Sequence, residues 1–311
     1  MKRKVCFIGL GSIAARHIKN LKDLYQEEVC IDILRSGNGK PLDEALQSMI
    51  EQVYYDFAEL PFGYDVIFIT NPTRLHYETL LAVKDHAKHF FIEKPVFETG
   101  EEDIAKLNLQ KDRVYYVACP LRYTNVIQYL KENMDFGKVY SMRCISSSYL
   151  PDWRTGTDYR TTYSARKELG GGVSIDLIHE WDYLCYLLGQ PRKVHSLIGK
   201  KSNLEINSDD VAIYIAEYAD KFVEVHLDYL GRVPIRKIEL FAEDDSIEAD
   251  LIAQKILYRQ SNTVVDLQEN RDSYQKKELV HFFNMIDGKS TNDNPLEWAC
   301  QILRIARGEQ E

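Results

Sequence analysis

The chain has 311 residues, of which 45% are hydrophobic and 28% charged, a composition typical of a globular protein with about two domains. Its formal net charge of −9 argues against a nucleic-acid-binding surface. The six cysteines form no CxxC motif, and the apolar run near the N-terminus is too short for a signal peptide or a membrane span. We therefore expect reduced thiols, no metal site, no membrane partner and a cytoplasmic location.

A glycine-rich turn follows the first apolar run, residues 4–8, and reads Gly-Leu-Gly-Ser-Ile-Ala over residues 9–14. Apolar side chains then recur every three or four positions, which predicts a helix. In this strand, turn and helix context the glycines permit a tight turn and close approach to a pyrophosphate, and the helix N-terminus offers unpaired N–H groups. The pattern predicts a dinucleotide-binding Rossmann domain whose phosphate contacts are Gly9, Gly11, Ser12 and Ile13.

The second predicted strand, residues 29–34, ends where a Rossmann domain distinguishes NAD from NADP. An NAD-binding domain usually carries an acidic residue at this point, which holds the ribose 2′-hydroxyl. Here Arg35, Ser36 and Lys40 suit a 2′-phosphate, and the competing Asp32 lies inside the strand rather than at its tip. We therefore predict NADP as the cofactor, with NAD as the alternative.

Two later strands, residues 64–70 and 89–92, run into the polar motifs Asn-Pro and Glu-Lys-Pro. Ligands of a doubly wound sheet bind outside the carboxyl ends of its strands, so both motifs are expected at the cofactor crevice. The proline after Lys94 favours an extended backbone that aims the lysine, although a solvated surface lysine is the alternative. The predicted cofactor contacts at this edge are Asn71, Pro72, His76, Glu93 and Lys94.

Alternating apolar and polar residues dominate the rest of the chain and predict an open sheet with one packed face. The predicted strands are residues 138–149, 193–201, 211–218, 223–229 and 236–242. We predict an α/β protein with a Rossmann doubly wound parallel sheet in residues 1–119. Residues 120–311 are predicted to form a C-terminal α/β domain with a large open, mostly antiparallel sheet, closed by two helices near 274–286 and 295–307.

Residues 170–189 begin with three glycines, have helical periodicity and end at a glycine that suits a helix C-cap. A helical wheel collects Leu177, Ile178, Trp181, Leu184, Cys185 and Leu188 on one face and Asp176, His179, Glu180 and Tyr183 on the other. We expect the apolar face to lie in the core. The polar face either contacts a ligand or, as in an ordinary amphipathic helix, meets water.

The segment of residues 149–167 is aromatic and basic in an otherwise acidic chain. Its tyrosines and tryptophan suit a sugar or base, and its cations suit a phosphate or carboxylate. The alternative is a packed surface loop with local ion pairs such as Asp158 with Arg160. The candidate substrate contacts are Trp153, Arg154, Arg160, Tyr163, Arg166 and Lys167, together with Arg122 and Glu180 elsewhere.

The glycine turn, Asn71-Pro72, Glu93-Lys94-Pro95 and the 170–189 segment together resemble the Gfo/Idh/MocA oxidoreductase family over nearly the whole chain. The resemblance implies hydride transfer between NAD(P) and a hydroxyl or carbonyl group of a sugar, cyclitol or nucleotide-sugar. It also implies a homo-oligomer formed through the open C-terminal sheet. In that family the residues corresponding to Lys94, Asp176 and His179 surround the reacting carbon.

One spacing departs from the family pattern. Family members usually place His four residues after the Asp of this segment, whereas His179 follows Asp176 by three and Glu180 occupies the fourth position. Either His179 alone or His179 together with Glu180 is therefore expected to meet the substrate.

The resemblance implies an acid/base mechanism. His179 is the natural proton acceptor for a secondary alcohol, with Asp176 or Glu180 fixing its tautomer, and Lys94 would stabilise the developing alkoxide or share the proton. Two alternatives use the same fold, a glycoside hydrolase that acts by transient oxidation with NAD and a non-catalytic sugar or dinucleotide sensor. A sensor needs no acid/base set, so Lys94 and His179 favour an enzyme.

Overall fold

The computed structural model of the protein describes residues 2–37 and 41–309. Its strands are β1 (Arg3–Ile8), β2 (Val29–Leu34), β3 (Gln52–Tyr54), β4 (Tyr64–Ile69), β5 (Ala87–Ile92), β6 (Tyr115–Val117), β7 (Val139–Ser147), β8 (Lys193–Gly199), β9 (Val211–Glu217), β10 (Phe222–Asp228), β11 (Ile235–Ala242), β12 (Ser246–Asp250), β13 (Lys255–Tyr258) and β14 (Thr263–Asp266). Its helices are α1 (Ser12–Tyr25), α2 (Glu44–Gln47), α3 (His76–Val83), α4 (Asn125–Asn133), α5 (Val173–Asp176), α6 (His179–Leu188), α7 (Arg271–Ile286) and α8 (Leu296–Arg307).

Two compact units make up the described chain. One contains the residues up to Pro120 together with Arg271–Gln301, and the other contains Leu121–Asn270 and the residues from Ile302 onward. The predicted division into domains 1–119 and 120–311 stays a proposal. Within residues 2–37 and 41–309, no helix has the length and apolar content that a membrane crossing requires.

The first unit is built on a six-stranded sheet in the order β3-β2-β1-β4-β5-β6, with every adjacent pair parallel. The strand order reverses between β1 and β4, which is the point where ligands bind in sheets of this kind. The central strands are buried on both faces, as their continuous apolar sequences predict. The predicted α/β class with a Rossmann sheet is confirmed.

Helix α7 packs against this first sheet, whereas the sequence predicted that it closes the C-terminal domain. Its Phe282 ring lies 5.3 Å from the Phe91 ring and 6.1 Å from the Phe68 ring, both in edge-on contact. Leu279, Phe282 and Phe283 belong to the same buried cluster as the first strands. The helix is far from these strands in sequence, so no local pattern indicates which sheet it covers.

The second unit is built on an eight-stranded sheet in the order β14-β13-β12-β11-β7-β10-β9-β8. All neighbours are antiparallel except β7 and β10, which are parallel, so the predicted mostly antiparallel sheet is confirmed. Strands β12, β13 and β14 were not predicted, because they are short and partly charged. Along β9, buried Ala212, Tyr214 and Ala216 alternate with more exposed residues, which leaves one sheet face open.

Candidate functional site

The glycine turn joins three strand ends in the first unit. Gly9 has φ +91°, and a Cβ there would lie 2.7 Å from the Asn71 Cα, so only glycine lets the two backbones approach this closely. The Gly9 N–H donates to the Leu34 carbonyl at 2.8 Å, which brings the turn beside the end of β2. Apart from Gly11 and its two chain neighbours, no described residue has a heavy atom within 4 Å of the Cβ position of Gly11, so this side of the turn is open.

Helix α1 starts at Ser12 directly after this opening and has no side-chain hydrogen bond at its N-cap. Its first N–H groups have no partner within the helix, as at every helix N-terminus. Ser12 is exposed and Ile13 half-buried at this end. The turn therefore presents backbone donors to open space, which suits a pyrophosphate.

Arg35 and Ser36 follow β2 at the same edge of the sheet, where Arg35 is half-buried and Ser36 exposed. The competing Asp32 lies in the middle of β2 and accepts a hydrogen bond from the Tyr64 hydroxyl at 2.7 Å. Burial raises the pKa of Asp32. Lys40, the other predicted 2′-phosphate contact, lies outside the described residues.

The loop after β4 and the loop after β5 are tied together by a buried histidine. His76 is 1% exposed, and its ring nitrogens lie 2.9 Å from the Asn71 carbonyl oxygen and 3.1 Å from those of Pro95 and Val96. His76 therefore contacts loop backbone on both sides of its ring, although the sequence predicted a direct cofactor contact. Asn71 itself donates from its side chain to the Thr79 hydroxyl at 2.7 Å.

Lys94 is half-buried and is the second residue after β5. Its neighbour Glu93, a predicted cofactor contact, has one carboxylate oxygen 2.6 Å from Nε2 of His17 on α1. The Lys94–Pro95 peptide bond is cis. The first unit thus brings the glycine turn, the end of β2, and the Asn-Pro and Glu-Lys-Pro motifs to one edge of the sheet, as the sequence predicted.

The sequence predicted one continuous helix in the 170–189 segment of the second unit. The structure has two short helices there instead. Helix α5 ends at Asp176, and α6 begins at His179 after two residues outside regular helix. A single helical wheel therefore does not describe which side chains share a face.

The three glycines before α5 allow close packing against the unit's own chain. A Cβ on Gly171 would lie 1.9 Å from the Tyr163 carbonyl oxygen, and a Cβ on Gly172 would lie 2.1 Å from a carboxylate oxygen of Asp209. Asp209 in turn accepts a hydrogen bond from the Ser174 N–H at 2.9 Å. The glycines thus position α5 and the residue at its end, Asp176.

The predicted polar face of this segment is largely buried. Glu180 is 0% exposed, and its carboxylate lies 2.7 Å from Nε of Arg236 on β11. Tyr183, predicted on the same face, is also fully buried. His179 is half-buried, so it differs from Glu180 in retaining partial access to solvent. The helix packs on the sheet with charged side chains inside, which a hydrophobicity pattern does not reveal.

Asp176 accepts a hydrogen bond from the Tyr229 hydroxyl at 2.5 Å, in a buried setting. Burial raises the pKa of Tyr163, and the neighbouring Asp176 carboxylate raises it further. Burial and the Asp176 carboxylate also raise the pKa of Tyr229, so both tyrosines are protonated at neutral pH and able to donate to this carboxylate. Asp176 is held in place by tyrosine hydroxyl groups from separate parts of the unit.

Arg122, a predicted substrate contact, is 1% exposed and forms two hydrogen bonds with Asp182 on α6, at 2.7 Å and 2.5 Å. Its guanidinium group also lies 5.1 Å from the centre of the Tyr186 ring. The arginine is therefore engaged inside the second unit.

The aromatic and basic segment combines packed and exposed side chains. Trp153 donates from its indole nitrogen to the Ser148 hydroxyl at 2.9 Å, and its ring lies 5.2 Å from that of Tyr229. Arg160 is held by Asp158, as the alternative interpretation expected, and also by Glu205. Arg154 is exposed and stacks over the Tyr163 ring at 5.4 Å.

Three residues that contact the predicted site residues were not identified from the sequence. They are His17, which contacts Glu93, Tyr229, which contacts Asp176, and Arg236, which contacts Glu180. His17 lies within the helix that was predicted after the glycine turn. Tyr229 lies 53 residues from its partner Asp176, so no spacing rule connects the two. The available signal was chain position, since Tyr229 is the last residue of a predicted strand and His17 is a polar residue on the packed side of α1.

Comparison with known proteins assigns the family. Residues 3–118 match the oxidoreductase family with an NAD-binding Rossmann fold, and residues 126–248 match the GFO/IDH/MocA C-terminal domain. Levoglucosan dehydrogenase of Pseudarthrobacter phenanthrenivorans is 28% identical over 137 residues, covering 43% of this chain and 35% of that enzyme. The uncharacterized oxidoreductase YrbE of Bacillus subtilis is 23% identical over 330 residues, covering 98% of this chain and 92% of YrbE. Three curated relatives are matched over only 35% to 51% of their length.

Solved structures agree in fold. UDP-N-acetylglucosamine 3-dehydrogenase GnnA from Acidithiobacillus ferrooxidans has a TM-score of 0.78 at 18% identity, covering 100% of this chain and 97% of that one. A levoglucosan dehydrogenase in complex with NADH has a TM-score of 0.82 at 19% identity, covering 99% and 96%. Because the two matched regions, residues 3–118 and 126–248, cover most of the sequence, the chain belongs to the Gfo/Idh/MocA oxidoreductase family.

Proposed function

We propose that the protein is an NAD(P)-dependent oxidoreductase that transfers a hydride between nicotinamide and a hydroxyl or carbonyl group of a sugar, cyclitol or nucleotide-sugar. The observation that carries the proposal is the half-buried Lys94, which follows β5 at the sheet edge where the glycine turn is open. Relatives named levoglucosan dehydrogenase, D-xylose dehydrogenase and myo-inositol 2-dehydrogenase support a sugar or cyclitol substrate.

The residues at the glycine turn fit a dinucleotide. The open side of Gly11 and the uncapped N-terminus of α1 suit its pyrophosphate, and a side chain at Gly11 would occupy this space. When bound, NAD(P) supplies the hydride acceptor or donor. Arg35 and Ser36 at the end of β2 suit a 2′-phosphate, whereas Asp32 is engaged by Tyr64, so we infer a preference for NADP.

In the proposed reaction, Nζ of Lys94 donates a hydrogen bond to the substrate oxygen and stabilises negative charge there. The imidazole of His179 accepts the hydroxyl proton during oxidation and returns it during reduction. Asp176, held by Tyr229, orients this histidine. Glu180 stabilises the fold instead, because its carboxylate is buried against Arg236.

Substrate contacts are proposed for the exposed side of the aromatic segment. Arg160 is neutralised by two carboxylates and Arg166 lies 3.6 Å from Glu168, whereas no described carboxylate forms an ion pair with Arg154. The Arg154 guanidinium lies over Tyr163, whose hydroxyl neighbours Asp176. We infer that Arg154 contacts an anionic group of the substrate and that Tyr163 and Trp153 contact its sugar ring.

A homo-oligomer is proposed through the open face of the second sheet. Leu197 is 76% exposed, and its paired residue on β9, Ile213, is 37% exposed. Exposed apolar side chains on neighbouring strands mark an association surface. Light scattering should find an assembly larger than one chain, and Leu197→Lys should shift it toward the monomer. A monomeric wild-type protein would contradict this part of the proposal.

Binding and turnover test the main proposal separately. NADPH and NADH are titrated by fluorescence, and hydride transfer is then followed with levoglucosan, D-xylose, myo-inositol and UDP-N-acetylglucosamine. Lys94→Met and His179→Ala should each bind the cofactor nearly as the wild type does and lower turnover at least about a hundredfold. Glu180→Gln is the matched control for His179, one residue away on the same helix.

The outcomes distinguish the three functions. Unchanged turnover in Lys94→Met or His179→Ala would remove that residue from the mechanism. Glycoside cleavage without net change in NAD(P)H would indicate the hydrolase, and dinucleotide binding with no hydride exchange over a broad sugar panel would indicate the sensor. Equal or tighter binding of NADH than of NADPH would overturn the NADP preference.

A further inference from the structure

Two buried histidines flank the segment that contains Lys94. His17 on α1 is 1% exposed, with Nε2 2.6 Å from the carboxylate of Glu93. His76 at the start of α3 is also 1% exposed, with its ring nitrogens 3.1 Å from the Pro95 and Val96 carbonyl oxygens. Lys94 lies between the residues that these histidines contact.

The two contacts fix the segment from both sides. His17 holds the side chain of the residue before Lys94, and His76 holds the backbone of the two residues after it. The third contact of His76, to the Asn71 carbonyl at 2.9 Å, ties the segment to the loop after β4. The residues on both sides of Lys94 are therefore held by contacts with α1, with α3 and, through His76, with the loop after β4.

His76 works chiefly as a hydrogen-bonding group rather than as a charge. Burial lowers its pKa, and this effect outweighs its contacts with the Asn71 and Val96 carbonyls and with Glu93, which raise it. A neutral imidazole carries one N–H, so in a given tautomer His76 donates either from Nδ1 to the Pro95 and Val96 carbonyls or from Nε2 to the Asn71 carbonyl. Because carbonyl groups accept but cannot donate, a replacement without an N–H group loses the contact.

We propose that His17 and His76 are positioning residues that set the location of the Lys94 amine, a proposal that rests on the catalytic role proposed for Lys94. Neither histidine is expected to contact the substrate. A lysine that stabilises a developing alkoxide must lie within hydrogen-bond distance of it, and a misplacement of about 1 Å costs about a hundredfold in rate. The positioning role therefore predicts a loss in kcat with little change in cofactor affinity.

The first experiment is a double-mutant cycle between His17 and Lys94. His17→Leu removes the contact to Glu93, whereas His17→Gln keeps a donor near the position of Nε2. Turnover is measured with whichever of levoglucosan, D-xylose, myo-inositol and UDP-N-acetylglucosamine the wild type uses best. Binding of NADPH and NADH is measured by fluorescence. His17→Leu should lower kcat at least about tenfold, and His17→Gln should restore most of it.

In the Lys94→Met background, His17→Leu should lower kcat no further, because the histidine acts through the lysine.

His89 provides the matched control. It lies on β5, the strand that precedes Lys94, where its ring accepts from the Val114 N–H at 3.1 Å, and His89→Leu should leave kcat unchanged. An equal loss of kcat from His17→Leu in both backgrounds would overturn the positioning role.

The second experiment does not need a substrate. Lysines are reductively methylated with ¹³C, and the Lys94 resonance is identified by its absence in Lys94→Met. His17→Leu and His76→Phe should shift or broaden this resonance, and His89→Leu should not. An unmoved Lys94 resonance would overturn the inference whichever sugar is used. Full turnover of Lys94→Met would instead overturn the proposed catalytic role and leave this measurement valid.

Discussion

The Lys94 segment and the Asp176–His179 segment are held by different kinds of contact. Around Lys94, imidazole rings contact backbone carbonyls and one carboxylate, and two of these contacts connect residues only 5 and 19 positions apart. Around α6, a buried charge is matched by another charge, as in the pair of Arg122 with Asp182. The first region depends on histidine contacts with carbonyl groups and with one carboxylate, and the second depends on charge compensation in the interior.

This difference predicts different responses to mutation. A neutral hydrogen bond contributes about 1 kcal/mol to stability, so its loss mainly moves a side chain. Removing one partner of a buried ion pair leaves an uncompensated charge, and such changes cost about 3–5 kcal/mol. A mutation that removes one hydrogen-bonding partner should therefore only misplace a side chain in the first region. A mutation that removes one partner of a buried ion pair should unfold the second region.

Among these tests, Arg122→Met should have the largest effect on the free energy of unfolding. The side chains of Arg122 and Asp182 are 1% and 3% exposed, so the variant leaves Asp182 buried without its countercharge. We expect the free energy of unfolding to fall by about 3–5 kcal/mol, measured by urea denaturation. Lys88→Met is the control, since Lys88 is 67% exposed in its ion pair with Asp65 and its loss should cost less than about 1 kcal/mol.

A stable Arg122→Met protein with weakened substrate binding would reverse the interpretation of Arg122. It would return the residue to the substrate contacts that the sequence suggested and would remove the main example of charge compensation from the second region.

Arg35→Ala tests whether ligand-facing residues of the first region can change without affecting stability. Loss of a charged hydrogen bond to a 2′-phosphate costs about 1.5–3 kcal/mol, so the Kd for NADPH should rise about ten- to a hundredfold. The Kd for NADH and the unfolding midpoint should stay unchanged. An equal rise of both Kd values would show that Arg35 does not distinguish the two cofactors.

Glu180→Gln tests whether Glu180 stabilises the fold while its neighbour on α6, His179, takes part in turnover. The glutamine keeps the shape of the side chain but removes the charge that compensates Arg236, whose side chain is 25% exposed. We expect a stability loss of about 1–3 kcal/mol and turnover within about threefold of the wild type. A loss of turnover comparable with that of His179→Ala, without loss of stability, would assign Glu180 to the substrate.

The first region was largely predictable from the sequence because its site residues follow strands whose ends meet at one edge of a parallel sheet. Gly9, Gly11, Arg35 and Lys94 each lie at the end of a strand that the apolar pattern identifies, and a parallel sheet brings those ends together. The exceptions are the histidines. His76 was predicted at the cofactor and lies in the interior, because the sequence does not show which carbonyl groups remain without a partner.

The second region was predictable only in part because its contacts are distant in sequence. The segment was identified by its glycines and its Asp and His, but the break after Asp176 and the burial of Glu180 were not. Both features depend on partners from other elements, such as Arg236 on β11. The helical wheel placed the apolar residues Trp181 and Leu184 in the core correctly, but it did not show that Glu180 and Tyr183 on the polar face are buried as well.

Tyr229→Phe has the smallest expected effect and tests how Asp176 is held in the second region. The variant removes one hydroxyl group and leaves the ring in contact with Trp153. The lost hydrogen bond to Asp176 should cost about 1.5 kcal/mol in unfolding free energy, since a buried carboxylate loses one donor. If tyrosine hydroxyls hold Asp176 for its work on His179, kcat should fall a few-fold with cofactor affinity unchanged, and Tyr163→Phe should act in the same direction because its hydroxyl neighbours the same carboxylate. Tyr214→Phe is the matched control, since its buried hydroxyl donates to the Ala306 carbonyl instead, and it should lower stability by a similar amount without lowering kcat. A Tyr229→Phe protein that loses stability but keeps full kcat would limit this tyrosine to folding.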